Sequence, residues 1–469
     1  MTAETTTRKS TPSIELGGEA CGRERGVDPL MAVSVALAEA AVEARRASAT
    51  ISAGLSSLCS FSSLTDPVGA GRAVLGAAKS LTIGGLGFSP CGGLVGEGLR
   101  AIGVLGRRRP LSTGLAVESF RTRLQAAAAD NPNLAVSDVQ NLIAALVAAN
   151  PFQVAASLRS MIGNLGLTRT LTVLAPVTIE LCALGGLVDA NPWNDDVAWV
   201  VLMGGTPRAD PMAGIPVQAL ARFSRGRGRA HRVEPDRILR ATMRRNQAND
   251  IVDYVNIIAA MGNHGLVLLR RIRCRDKKVR HVVLLPGTSF ARLSNATPQD
   301  VVSCFDNLVH IDTTYTRAVR KLLADAEVPE GSEVMLVGHS LGGITAINLA
   351  CDPVTAAMYR LTHVVTVGSP IDNKRPADPA TKVISLVNEC DVIPCLDGRG
   401  PACPVGVPAS WTEFTWREET YDFPLSHAPQ TYAATLLSIV PDIRERTNTL
   451  IAAYDGDVIA DRPYAVRDN

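Results

Sequence analysis

The sequence is poor in aromatic residues, which make up 4% of its 469 positions. Proteins that bind single-stranded nucleic acid stack the bases on aromatic rings, so this scarcity argues against such a platform. The formal net charge is +2, and no overall field attracts a polyanion. Both observations argue against nucleic acid as a partner.

Long apolar runs are also missing. Residues 171–188 come closest to the roughly 20 apolar residues that cross a bilayer, but they include Pro176 and Glu180. We interpret this stretch as a buried helix, and a membrane segment is the alternative. The N-terminal residues carry Arg8 and Lys9 without a following apolar core, so no signal peptide is indicated. A cytoplasmic location is therefore expected, with association to a membrane as a further interpretation.

The ten cysteines have no short repeating spacing, and no two of them are separated by two residues. This pattern argues against a disulfide framework and favours a reducing compartment. Cys390, Cys395 and Cys403 do cluster. Free or buried thiols are the favoured interpretation of this cluster, ahead of a loop disulfide and of a zinc site. No metal and no organic cofactor are expected.

Composition divides the chain into four parts. Residues 1–27 are rich in Thr and Ser and are predicted to be a disordered tail. Residues 28–220 are rich in Ala and Gly and show apolar residues at helical spacing, so a mainly helical region is expected. Residues 221–249 hold nine arginines and are interpreted as a basic linker or helix; contact with anionic lipid or another acidic partner is the alternative.

Residues 250–469 alternate apolar strands with helical segments. The strands are predicted at Gly265–Cys274, Val279–Leu285, Glu333–Val337, His363–Val367 and Lys382–Val387. Apolar strands separated by helices imply a mostly parallel sheet that is covered on both faces. The predicted fold class is therefore α/β, preceded by the largely helical N-terminal region.

Residues 337–343 read Val-Gly-His-Ser-Leu-Gly-Gly and contain a Gly-x-Ser-x-Gly motif. An apolar strand pattern precedes the motif and a helical pattern of small residues follows it. A serine on such a sharp turn adopts a strained backbone that exposes its hydroxyl, and the flanking glycines avoid clashes with the adjoining strand and helix. Ser340 is therefore the predicted nucleophile.

A hydroxyl nucleophile needs a base to remove its proton, and the base needs an orienting carboxylate. In this strand–turn–helix context the chain order is Ser, then Asp or Glu, then His. His363 and His427 are the two histidines that follow Ser340. Because His363 opens a strand and His427 lies in a loop before a helix, His427 is the predicted base.

The predicted acid is Asp391, which comes directly after the strand that ends at Val387. Ligand-binding and catalytic groups lie at the carboxyl ends of parallel strands, and Asp391 meets that condition. Asp372 meets the condition one strand earlier and is the main alternative. Glu389 and Asp397 are weaker alternatives.

The tetrahedral intermediate of acyl transfer carries an oxyanion that preorganised donors must meet. The backbone N–H of Leu341, the residue after the nucleophile, is one expected donor. The second is expected in the sequence Pro-Gly-Thr-Ser-Phe at 286–290, which follows a strand. Thr288 is the candidate there, through its N–H or its hydroxyl, and Ser289 is the alternative. Ser289 and Phe290 are also candidates for substrate contact.

Residues 397–423, between acid and base, are rich in aromatic side chains although the chain as a whole is not. One interpretation is a hairpin that packs in the core. The other is a lid or an acyl-chain wall over the active site, which would make three of these residues substrate-binding: Trp411, Phe414 and Trp416.

Four motifs together resemble the lipase and esterase branch of the α/β-hydrolase superfamily, in particular the class 3 lipase pattern. They are Gly-His-Ser-Leu-Gly-Gly at 338–343, Thr-Val-Gly-Ser-Pro at 366–370, Val-Asn-x-x-Asp-Val-Ile-Pro at 387–394, and the late His427. The resemblance covers about residues 279–440. It implies an α/β-hydrolase domain whose triad is Ser340, Asp391 and His427 and whose oxyanion hole is Thr288 and Leu341.

The resemblance further implies that the chain hydrolyses a carboxylic ester, either a small molecule or a lipid, through an acyl-enzyme. An acyltransferase or a thioesterase would use the same triad and is an alternative. The third interpretation is a membrane- or protein-interacting module whose hydrolase domain is a non-catalytic scaffold. The Ala- and Gly-rich N-terminal half and the arginine cluster motivate it.

Overall fold

A computed structural model describes residues 5–9, 29–58, 67–82, 110–130, 136–148, 150–188, 195–203, 226–289, 296–397 and 410–469, together with residues 221, 224 and 408. The chain forms two compact units. We call them the sheet unit, comprising Met1–Gly17, Leu165–Ile179 and Thr206–Asn469, and the helical unit, comprising Gly18–Asn164 and Glu180–Gly205.

Helices dominate the described residues of the N-terminal half. They are α1 (Pro29–Leu58), α2 (Pro67–Thr82), α3 (Leu111–Asp130), α4 (Ser137–Val147), α5 (Pro151–Leu165), α6 (Leu167–Leu174), α7 (Thr178–Val188) and α8 (Asp195–Leu202). In the helical unit, α1 packs along α3. Small residues make this close approach feasible, because Ala41 and Ala116 are fully buried beside Trp199. The Ser34 hydroxyl donates to the carbonyl of Ser119 at 3.0 Å, and the Ser119 hydroxyl donates back to the Ser34 carbonyl at 2.8 Å.

The sheet unit is built on one nine-stranded sheet. Its strands are β1 (Thr5–Lys9), β2 (Arg229–Arg232), β3 (Leu266–Cys274), β4 (Val279–Leu285), β5 (Glu333–His339), β6 (Arg360–Val367), β7 (Lys382–Asn388), β8 (Trp411–Trp416) and β9 (Gly456–Arg467). The spatial order is β1-β8-β7-β6-β5-β4-β3-β9-β2. Strands β4 to β8 are parallel, and the others pair antiparallel at the two sides.

Helices cover both faces of this sheet. They are α9 (Arg237–Arg245), α10 (Ile251–Met261), α11 (Val301–Val309), α12 (Thr314–Asp325), α13 (Leu341–Cys351), α14 (Pro353–Met358), α15 (Pro429–Ser438) and α16 (Pro441–Leu450). Helices α9, α10, α15 and α16 bury apolar side chains in one hydrophobic cluster against the sheet. Helices α12 and α13 do so in a second cluster. The predicted fold class, a mostly parallel sheet covered on both faces after a helical region, is confirmed.

Each of the five predicted strands is present, with bounds that differ from the prediction by at most three residues. The helical residues between β4 and β5 are divided into α11 and α12. A capping box explains the division: the Thr313 hydroxyl accepts from the N–H of Thr316, and the Thr316 hydroxyl accepts from the N–H of Thr313. A new helix therefore begins at Thr314.

Two expectations about segments of the sheet unit can be compared with the structure. Within the predicted disordered tail at 1–27, Thr5–Lys9 forms β1 and pairs antiparallel with β8; the rest of that range lies outside the described residues. Its three threonines are β-branched and suit a strand beside an open sheet edge. Of the linker and the helix expected for the arginine-rich segment at 221–249, the helix is present as α9, and the segment also supplies β2 to the sheet unit.

The boundary expected at residue 220 also differs from the structure, since Leu165–Ile179 belongs to the sheet unit. Within the described residues, the helical stretch Leu167–Leu187 is long and apolar enough to cross a membrane by length and composition alone. However, 78% of its most apolar window is buried in the protein, which agrees with the interpretation as a buried helix.

Candidate active site

Ser340 lies on the turn between β5 and α13, as the motif predicts. Its backbone has φ 56° and ψ −125°, a combination that side-chain-bearing residues rarely adopt. The turn is held by two hydrogen bonds, from Ser340 N–H to the carbonyl of Val367 at 3.0 Å and from Gly343 N–H to the Ser340 carbonyl at 3.0 Å. Strain of this kind costs about 1–3 kcal/mol and persists where the surroundings over-determine it.

The two glycines of the motif are required by close backbone approach. A Cβ atom at Gly338 would lie 2.2 Å from the carbonyl oxygen of Gly342, and a Cβ atom at Gly342 would lie 2.0 Å from the carbonyl oxygen of Leu285. Both contacts are far inside van der Waals distance, and both involve backbone atoms that cannot move aside. The predicted reason for the Gly-x-Ser-x-Gly pattern is therefore confirmed.

Asp391 and His427 are brought together in the structure. The Nδ1 atom of His427 lies 2.7 Å from Oδ2 of Asp391, and both side chains are buried. The N–H of Ile393 donates to the other carboxylate oxygen at 3.0 Å. Asp372, the alternative acid, lies in the loop after β6, where its own N–H donates to the Asp397 carboxylate. The carboxylate beside His427 is therefore that of Asp391.

Tyr432, on α15, is a second partner of Asp391 that the sequence reasoning missed. Its hydroxyl donates to Oδ2 of Asp391 at 2.9 Å and accepts from the N–H of Asn388 at 3.2 Å. Burial, reinforced by the charge of Asp391, raises the pKa of Tyr432 well above its usual value, so the hydroxyl keeps its proton. The ring packs edge-on against Trp416, with centroids 5.5 Å apart. No local sequence pattern marks this tyrosine as a partner of a carboxylate 41 residues away.

His339 connects the Ser340 turn to the base. Its Nε2 atom lies 2.8 Å from the carbonyl oxygen of His427, and the two imidazole rings are 4.7 Å apart between centroids. Because a carbonyl oxygen can only accept, the proton of His339 is on Nε2. Burial, and then the proximity of His427, lowers the pKa of His339 to about 3, so its ring is neutral. The residue directly before Ser340 therefore fixes the backbone of His427.

The loop after β4 touches Ser340. A Cβ atom at Gly287 would lie 2.7 Å from the Cβ atom of Ser340, so only glycine fits there. The carbonyl of Pro286 accepts from the Tyr315 hydroxyl at 3.2 Å, and the carbonyl of Thr288 accepts from the Asn263 amide at 2.6 Å. Both carbonyl groups of the loop are thereby fixed in direction.

Ser289, the alternative oxyanion donor, has its N–H engaged with the carbonyl of Gln299 at 2.7 Å. Neither Thr288 nor Leu341 donates its backbone N–H to any acceptor within the part of the chain that the structure describes. For Leu341 this follows from its place in the first turn of α13, where N–H groups have no intrahelical partner. Thr288 and Leu341 are therefore the two candidate donors.

Thr288 is 2% exposed, and the thiol of Cys304 lies beside its hydroxyl as a hydrogen-bonding neighbour. Burial raises the pKa of that thiol to about 11. A thiol is a weak hydrogen-bonding group, so the Thr288 hydroxyl beside the Ser340 turn can still donate to a stronger acceptor.

The aromatic residues of β8 are core residues, which corrects their interpretation as substrate-binding. Phe414 and Trp416 belong to the hydrophobic cluster under α10 and α15, and Trp411 belongs to the cluster on the other face. Their burial follows because helices cover both faces of the sheet at β8. Of the remaining substrate-binding candidates, Ser289 is partly buried in the loop after β4, and Phe290 lies outside the described residues.

The segment that joins the sheet unit from the N-terminal half contacts the loop that carries the base. On α6, Nη1 of Arg169 lies 3.1 Å from the carbonyl oxygen of Glu419 and 3.2 Å from Oδ1 of Asp422. The Thr172 hydroxyl accepts from the N–H of Phe423 at 2.9 Å, four residues before His427. The turn Ala175–Val177 lies against Ile393–Asp397, which follows Asp391. Contacts that span about 250 residues leave no signal in a local pattern.

In the part of the chain that the structure describes, no group of three His, Cys, Asp or Glu side chains is arranged to hold a metal ion. Of the clustered cysteines, Cys390 and Cys395 are buried free thiols, and Cys403 lies outside the described residues. Burial raises the pKa of Cys390 to about 12, so this thiol stays protonated.

Comparison with known proteins adds one match. Residues 282–467 match the model of the alpha/beta hydrolase family. No curated protein and no solved structure is significantly similar to the chain. The matched range extends from β4 to β9 and contains Ser340, Asp391 and His427.

Proposed function

From the α/β-hydrolase fold of its sheet unit, we propose that the protein is a serine hydrolase that cleaves carboxylic esters through an acyl-enzyme on Ser340. One observation carries the proposal: the buried His427–Asp391 pair is joined through His339 to the strained turn that presents Ser340. A structural role alone gives no reason for a strained serine, a buried carboxylate and a buried imidazole to converge.

In the first step, the Ser340 hydroxyl attacks the ester carbonyl carbon while His427 accepts its proton on Nε2. Asp391 accepts a hydrogen bond from Nδ1, which orients the ring and stabilises the imidazolium that forms. Tyr432 and the N–H of Ile393 in turn hold the carboxylate in place. The tetrahedral intermediate then collapses, and His427 returns the proton to the leaving alcohol.

The oxyanion of this intermediate accepts hydrogen bonds from the N–H groups of Leu341 and Thr288. Donors that are fixed in advance stabilise the developing charge, because they need no reorganisation during the reaction. The contacts of Tyr315 and Asn263 with the loop supply that fixation on the Thr288 side. The buried Thr288 hydroxyl supplies a further donor. Water then attacks the acyl-serine by the same steps in reverse order.

The proposed substrate is an ester with a lipid-like acyl chain, which rests on the resemblance of the motifs to class 3 lipases. Transfer of the acyl group to another nucleophile would use the same acyl-serine, so acyltransferase or thioesterase activity is the second candidate. The Pro-Gly-Thr sequence at 286–288 favours this second candidate, because acyltransferases and thioesterases also have such an oxyanion loop.

The direct test is covalent labelling by a fluorophosphonate probe, which reacts with activated serines. We expect the wild-type protein to be labelled and Ser340→Ala not to be. Ser369→Ala is the matched control, because Ser369 is buried beside the same turn and should leave labelling intact. A folded wild-type protein that takes up no probe would favour the non-catalytic scaffold instead.

Hydrolysis of p-nitrophenyl esters of increasing chain length then addresses the substrate. We expect turnover to rise with acyl length, and a preference for the shortest acyl chain would argue against a lipid-like ester. Asp391→Asn should reduce kcat on the order of 10⁴-fold, as expected for a base that loses its orienting carboxylate. Faster release of product in the presence of an alcohol or thiol acceptor would indicate acyl transfer.

A further inference from the structure

A basic surface on the sheet unit has no part in the chemistry proposed above. Residues 226–245 hold seven arginines against two carboxylates. Six exposed residues on β2 and α9 form what we call the arginine face: Arg229, Arg237, Ile238, Arg240, Arg244 and Arg245.

Helix α9 is amphipathic, and its outer side is almost entirely basic. Leu239 and Met243 are buried in the hydrophobic cluster that α9 shares with α10. Among the four arginines of α9, one ion pair is formed within the described residues, between Arg240 and Glu234 at 3.8 Å. The other three, Arg237, Arg244 and Arg245, have no carboxylate at ion-pair distance in that part of the chain.

Strand β2 adds charge on the same side of the sheet. Ala230 packs into the cluster that α12 covers, so Arg229, one residue earlier, points to the opposite face, where α9 packs. Arg229 lies directly opposite Arg467 in the β2–β9 ladder. Two arginines are therefore in register at this outer pair of strands.

Protection of an exposed sheet edge is the simpler explanation for arginines on β2, which is the last strand of the sheet. That explanation does not extend to α9, because a helix has no unpaired strand edge to protect. The unpaired arginines of α9 therefore require a separate reason.

We propose that the arginine face binds the surface of an anionic lipid bilayer. The charge complements anionic headgroups, and each basic residue near such a surface strengthens binding about fivefold. Ile238 favours a bilayer over nucleic acid: it is 69% exposed and lies on the same side of the helix as Arg245. An apolar side chain beside arginines can enter the headgroup boundary, whereas it gains nothing from a phosphate backbone.

The test is sedimentation of the full-length protein with phosphatidylcholine vesicles that either contain or lack phosphatidylserine. We expect the protein to sediment with the anionic vesicles and to be released by salt. Arg237→Gln combined with Arg244→Gln should weaken binding about 25-fold. Ile238→Ser should weaken it severalfold without changing the salt dependence.

The matched control is Arg360→Gln combined with Lys382→Gln, which removes the same charge. Arg360 and Lys382 are exposed at the starts of β6 and β7, and β6 is separated from β2 by β5, β4, β3 and β9. We expect this control to bind vesicles like the wild type. Equal losses in the two double variants would show that net charge alone is responsible and would overturn the proposal.

Two further outcomes would overturn it: equal binding to neutral and anionic vesicles, and retention on duplex DNA without vesicle binding. The readout involves no ester hydrolysis. Failure of vesicle binding can thus be told apart from failure of probe labelling at Ser340. The arginine face contributes no residue to the active site, so its variants should hydrolyse a soluble ester at the wild-type rate.

Discussion

Gly368→Ala is expected to lower turnover at the candidate active site by displacing Asp391. Gly368 follows β6 at φ +59°, and a Cβ atom there would lie 3.0 Å from Oδ2 of Asp391 and 3.0 Å from the hydroxyl of Tyr432. The left-handed backbone costs a residue with a side chain about 1–2 kcal/mol. In addition, the carboxylate and the hydroxyl must retreat by a few tenths of an ångström to accept the methyl group.

The displacement should lower kcat about tenfold, because a misplacement of about 1 Å in a catalytic group costs about 100-fold. The control is Gly331→Ala. Gly331 has φ +74°, and a Cβ atom there would have no neighbour within 4 Å. The control therefore carries the backbone cost without the contact.

Two measurements on each variant separate the effects: kcat with a soluble p-nitrophenyl ester, and the free energy of unfolding from urea titration. Both variants should lose about 1–2 kcal/mol of stability. Only Gly368→Ala should lose turnover. Wild-type kcat in a folded Gly368→Ala protein would refute the reasoning, and so would an equal loss of kcat in Gly331→Ala.

Two other predictions follow from buried polar groups. Tyr432→Phe removes a hydrogen bond to the charged Asp391, which is worth about 1.5–3 kcal/mol. The variant should therefore lower kcat about 10- to 100-fold with little change in KM. The control is Tyr454→Phe, which also removes a buried hydroxyl but outside the site and should leave kcat unchanged. Burial lowers the pKa values of His281 and His363 to about 4, whereas unfolded histidines titrate near 6.5. Between about pH 4 and pH 6.5 the unfolded chain therefore binds more protons than the folded chain. The free energy of unfolding should fall as the pH drops from about 6.5 to about 4. Equal free energies of unfolding from urea titration at both ends of this window would contradict the expectation.

The turn at Ser340 could be predicted because its requirements are local. Strand, glycines and helix lie within a few residues of one another, and the structure reproduces all of them. The pairing of Asp391 with His427 could be predicted because chain order and position after a strand limit the choice. Tyr432 and Thr172 could not be predicted, since their contacts join segments that are distant in sequence and have no characteristic spacing.

The error over the aromatic residues of β8 has a topological cause. Phe414 and Trp416 lie on one face of the strand and Trp411 on the other, as alternation along a strand requires. What the pattern could not reveal was which helices cover these faces: α10 and α15 share a cluster with Phe414 and Trp416, and α12 and α13 share one with Trp411. Sequence periodicity specifies which residues share a face, whereas the covering of that face depends on partners elsewhere in the chain.

Because Leu165–Ile179 belongs to the sheet unit, a single cut in the chain does not separate the two units. Expression of residues 206–469 alone would keep every strand from β2 to β9 and the whole range of the family match. It would nonetheless lack the partners of Phe423 and Asp422 in the loop that ends at His427. The sheet unit is therefore discontinuous in sequence, and a minimal version of it would need residues 1–17 and 165–179 supplied as separate peptides or rejoined through linkers.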